Sequence, residues 1–104
     1  MQEDEVITAD QCQTMAEVRA GVDALDRELV KLLSGRFAYM RAAARIKPDR
    51  AMVRDEARKA EVIANARTEA QRLGVPDALV AELWEQLVEA SIAYELEAFD
   101  GREG

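Results

Sequence analysis

Residues 14–47 read TMAEVRAGVDALDRELVKLLSGRFAYMRAAARIK. Within them one stripe runs Met15, Val18, Val22, Leu25, Leu29, Leu32, Arg36, Tyr39, Ala43, Ile46. Its steps alternate three and four without a break, the period of a helix seam that packs on another helix. Nine of its ten positions are apolar or aromatic. The tenth, Arg36, carries a guanidinium that cannot shed its charge. A cation on a packing seam must pair, reach out to water, or wait for an anion.

The rest of the chain suits helices as well. It has 104 residues, enough for a single domain over 1–104, with 49% apolar and 34% charged side chains. Ala, Leu, Glu and Arg dominate, which favours helix over sheet. The net charge of −7 argues against nucleic acid and anionic membranes as partners. No histidine is present, so imidazole acid–base chemistry and histidine-ligated metals are excluded. The single Cys12 cannot form an intrachain disulfide, which suits a reducing compartment. No apolar run reaches the ~18 residues of a membrane span, and the first residues lack the pattern of a signal peptide. A cytoplasmic protein with neither metal nor cofactor is expected.

Three helices follow from the breaks. The first runs from about Thr14 to Lys47, ahead of Pro48. The second runs from about Asp55 to Leu73 and is rich in alanine (Ala57, Ala60, Ala64, Ala66, Ala70), which lets neighbours approach closely. Gly74 is a stop signal, and Pro76 a first-turn residue for the third helix. That helix carries Val80, Trp84, Leu87, Val88 and Ile92 and fades near Phe99. Residues 1–13 and 100–104 are expected to fray. At ~1.5 Å per residue the helices span roughly 50, 28 and 35 Å. Neither short helix covers the first, so the seam from Val18 to Leu32 needs a partner. A second copy of the same helix is the economical one; a plain coiled coil is the simpler alternative.

Polar residues recur on apolar faces. Lys47 lies eleven residues beyond Arg36, only ~20° round the helix and roughly 16 Å along it. A small ligand fits between their tips. On the third helix Trp84, Val88, Ser91 and Glu95 step by 4-3-4, so an apolar stripe turns polar where it should stay buried. Arg58 follows the start of the second helix. Arg19 lies roughly 25 Å from Arg36 and ~100° off in azimuth, so no small ligand touches both on one helix. Plainer readings exist. Arg36 could snorkel or pair with Glu95, Lys47 could answer the helix macrodipole, Arg58 could be solvated, and Ser91 could bond back one turn. Together the residues describe a cationic pocket with one hydroxyl and one carboxyl, suited to a small dicarboxylate.

Met15-Ala-Glu-Val-Arg19 through Asp26 resembles the opening of the all-helical chorismate mutases. Leu33-Ser-Gly-Arg36 with Ala43-Ala-Arg-Ile-Lys47, Val53-Arg-Asp55-Glu-Ala-Arg58, and Ser91-Ile-Ala-Tyr-Glu95 resemble its later motifs. The resemblance covers about residues 15–98. It implies an intertwined all-α homodimer with two shared sites. Each site would take Arg36, Lys47, Arg58, Ser91 and Glu95 from one chain and Arg19 from the other. It further implies the intramolecular 3,3-rearrangement of chorismate to prephenate, in aromatic amino acid biosynthesis. Arg19 and Arg36 would hold the carboxylates, and Lys47 and Glu95 would donate to the breaking ether oxygen. Asp55, Arg58 and Ser91 would line or order the site.

Lys59 departs from this pattern, since many mutases carry there a Glu that bonds the ring hydroxyl. The related isochorismate-pyruvate lyases lack that acid too and resemble the chain from Tyr39 to Lys47. Val53-Arg-Asp55 is mutase-like. A mutase is therefore the first expectation, a lyase the second, and a non-catalytic helical dimer the third.

Overall fold

A computed structural model of the chain describes residues 7–102. The outer parts of both ends expected to fray, residues 1–6 and 103–104, lie outside the described residues. Three α-helices form: α1 over Met15–Ile46, α2 over Glu56–Leu73 and α3 over Asp77–Asp100. Short 3-10 turns occupy Ala9–Gln11 and Arg50–Met52. No strand occurs among the described residues, so the all-helical expectation holds. No helix among them is long and apolar enough to cross a membrane. The chain divides into two compact units, one ending at Arg36 and the other beginning at Phe37.

In the first unit, Thr14 and Glu17 start α1 reciprocally. Glu17 N donates to Thr14 Oγ1 at 3.1 Å, and Glu17 Oε1 accepts from the N–H groups of Gln13 at 2.7 Å and Thr14 at 3.2 Å. This capping box satisfies donors that the first helical turn leaves open. Along α1, Met15, Val18, Val22, Leu25, Leu29 and Leu32 are exposed. The segment before the helix folds against its first turns. Between them lies a hollow of about 330 Å³ lined by Ile7, Ala9, Cys12, Val18, Val22 and Leu25, among others.

The second unit has the core. Val53, Val88 and Ile92 are buried together, with Val62, Ile63, Trp84, Leu96 and Phe99 packed around them. Asp55 caps α2 by accepting from Arg58 N at 3.0 Å. Gly74 ends that helix at φ 75°, in the left-handed region. There Val75 N donates to Ala70 O at 2.8 Å and Gly74 N to Gln71 O at 3.3 Å, the paired bonds of a Schellman stop. Any side chain at Gly74 would meet backbone strain. α3 begins one residue later than Pro76 predicts, with Pro76 in the cap position.

Of the α2 alanines, Ala70 is buried and Ala66 half-buried, whereas Ala57, Ala60 and Ala64 are exposed in the single chain. Two contacts tie the last part of α1 to α3. Arg41 Nη1 donates to the Tyr94 hydroxyl at 2.7 Å, and the Phe37 and Tyr94 rings meet edge to face at 4.8 Å.

Candidate functional site

α3 buries its polar residues along with its apolar ones. Val88, Ser91, Ile92 and Glu95 are all buried, which is where the 4-3-4 stripe put Ser91 and Glu95. A buried carboxylate needs a charge partner or a proton. Glu95 has a partner: Lys47 Nζ lies 2.7 Å from Glu95 Oε2, with the two side chains 27% and 6% exposed. The contact is an ion pair by distance, yet Oε2 is buried and accepts no aligned hydrogen bond among the described residues. The Ser91 hydroxyl donates to Leu87 O at 2.7 Å, the local bond that suits a hydroxyl inside a helix.

Pro48 ends α1, so Lys47 stands just past its last turn and its chain turns back toward α3. The candidates on α2 are engaged locally. The Asp55 carboxylate serves as a cap. The Arg58 guanidinium is exposed and pairs with Glu61 at 2.8 Å. Lys59 is drawn to α3, where its ammonium meets Glu85 at 2.8 Å and Glu89 at 2.6 Å. Within the first unit, Arg19 is exposed and Arg36 half-buried, both on α1.

Arg54 is a charged residue that the sequence reading did not single out. It makes a two-point bond to Glu89, at 3.1 and 2.8 Å, and also reaches Glu56. Hydrogen bonds from Arg54, and then from Lys59, hold the Glu89 carboxyl down at about 2. A carboxylate lowered by folding stabilises the fold above its ordinary value near 4.5, and that stabilisation fades as pH falls toward 2. The thermal midpoint is therefore expected to drop over that window, with Glu89→Gln removing part of the slope. The groups are solvent-accessible, so the effect should be small and weaker in salt. An unaltered slope in Glu89→Gln would mean the network contributes nothing to acid sensitivity.

Comparison with known proteins gives the family. The family model described as chorismate mutase type II matches residues 18–96. The chain belongs to this family. The matched segment holds Arg19, Arg36, Lys47, Asp55, Arg58, Ser91 and Glu95. As a type II chorismate mutase family member it is also similar to an isochorismate pyruvate lyase from Pseudomonas aeruginosa. The two are 27% identical over 89 residues, covering 86% of this chain and 88% of that protein. The family is thus shown by a match to most of the chain.

Proposed function

We propose that the chain is a chorismate mutase, converting chorismate to prephenate within a homodimer. The observation that carries this reading is the Lys47–Glu95 pair: an ammonium just past the end of α1 and a buried carboxyl on α3, 2.7 Å apart. An intramolecular rearrangement needs no nucleophile or base. It needs a compact conformer held in place and charge stabilised on the breaking ether oxygen. Lys47 donates to that oxygen as an ammonium. Glu95 is the second group assigned to that oxygen. Arg19 and Arg36 hold the two carboxylates of the substrate, and Asp55, Arg58 and Ser91 order the walls.

The second copy is supported by the exposed seam. Val18, Val22, Leu25, Leu29 and Leu32 line one face of α1, an apolar stripe of the sort that marks an interaction surface. In this dimer Arg19 serves the opposite chain's site. Arg19→Ala and Arg36→Ala should each nearly abolish turnover, and mixing the two should restore some of it. In an equimolar random mixture about one quarter of the sites hold both arginines. No recovery after verified subunit exchange would assign both residues to one chain's site.

A lyase reading is favoured by two observations. The Pseudomonas relative is named a lyase, and position 59 holds a lysine committed to Glu85 and Glu89 rather than an acid. Rates on chorismate and isochorismate, measured side by side, separate the readings. Prephenate formation from chorismate should be the faster reaction. Faster pyruvate release from isochorismate would reverse the assignment, and no turnover of either would leave a non-catalytic dimer.

A further inference from the structure

The ammonium of Lys47 must be held still for the chemistry proposed above, and the inference here rests on that reading. In an unbroken helix the N–H of residue 48 would bond the carbonyl of Ala44. Pro48 has no N–H. Ala44 is only 2% exposed, so water is a poor substitute. The donor comes from the far end of the unit. Arg102 Nη1 donates to Ala44 O at 2.9 Å and to Lys47 O at 2.7 Å. One NH₂ group thus answers both the carbonyl that proline orphans and the carbonyl of Lys47 itself, and its positive charge faces the negative end of α1.

Arg102 is itself held. Its guanidinium carbon lies 3.6 Å from the centroid of the Phe99 ring, and Phe99 packs on the Val53, Val88 and Ile92 core. Two residues before Arg102, Asp100 takes a two-point bond from Arg50, at 2.8 and 3.1 Å. The turn after α1 is thereby fastened to the end of α3 at two points. Glu95 lies on that same helix, two turns before Arg102. Both members of the pair are referred to one element, Glu95 through the chain and Lys47 through Arg102.

We propose that Arg102 is a positioning residue for Lys47, fixing its backbone so that the ammonium stays registered against Glu95 and the substrate. Arg102 lies outside the segment that the family model matches, so the motif residues do not include it. Arg102→Ala should lower kcat by about 10- to 100-fold, since displacements of ~1 Å cost that much, and leave KM within about threefold. Introduced into Lys47→Ala, the same change should cost less than about twofold more, because residues that act through one another are not additive. Arg102→Lys keeps a donor without the flat stacked group and should fall between wild type and Arg102→Ala. In the ligand-free protein, the Lys47 Nζ resonance should shift in Arg102→Ala and stay put in Arg72→Ala, a surface control. Where Arg102→Ala fails to fold, Arg102→Lys carries the same readouts. An unmoved Lys47 resonance overturns the proposal, as does an equal loss of kcat in the wild-type and Lys47→Ala backgrounds. If wild type turns over neither substrate, the proposed function fails, and the resonance alone decides whether Arg102 anchors Lys47.

Discussion

Lys47→Ala is expected to cost turnover by about 10³-fold while the chain stays folded. Removing one preorganised donor at a developing oxyanion costs 10²–10³, and this change also strips Glu95 of its charge partner. Glu95 then separates charge from hydrogen bonding. Glu95→Ala should lose most activity. Glu95→Gln should keep it, because an amide supplies a hydrogen-bond donor in that place. A loss in Glu95→Gln as large as in Glu95→Ala would remove Glu95 from the donor role and leave it as the counter-ion of Lys47.

Leu25→Asp is the second large effect. In a lone chain Leu25 is 66% exposed, and a carboxylate there would cost little. Against a second copy of α1 the same carboxylate would be buried without a partner, at several kcal/mol. Sedimentation at micromolar concentration should show wild type at about twice 11.6 kDa and the variant as an unfolded or dissociated chain without activity. A Leu25→Asp protein that stays dimeric and active would remove α1 from the interface. A wild type that is a stable, folded monomer would sink the shared-site arrangement.

The helices were legible because period and punctuation agree. The alternating seam marks α1, Pro48 ends it, and Gly74 stops α2 through a conformation few residues other than glycine adopt. Burial of Ser91 and Glu95 was legible too, since a polar residue on an apolar stripe goes where the stripe goes. Partners were harder. The sequence named Arg36 as a plain counter-ion for Glu95, and the approach of α3 to the chain around Pro48 sets Lys47 beside it. Arg54 and Arg102 escaped notice because nothing local marks them. Pro48 announces an orphaned carbonyl at Ala44, but no periodicity says that the donor comes from 58 residues away.

The uncovered stripe on α1 also bears on how such a chain fares once it is made. Val18, Val22, Leu25, Leu29 and Leu32 are all exposed, and a surface of that kind adheres readily to other apolar surfaces. For the proposed homodimer, meeting a second copy is a bimolecular event, so the time each chain waits lengthens as fewer copies are made. The net charge of −7 works on both sides of that wait. It keeps solitary chains from clumping, and it slows the encounter between two copies alike in sign. Scarcity would therefore act on the proposed dimer twice: fewer chains are present, and each one spends longer alone.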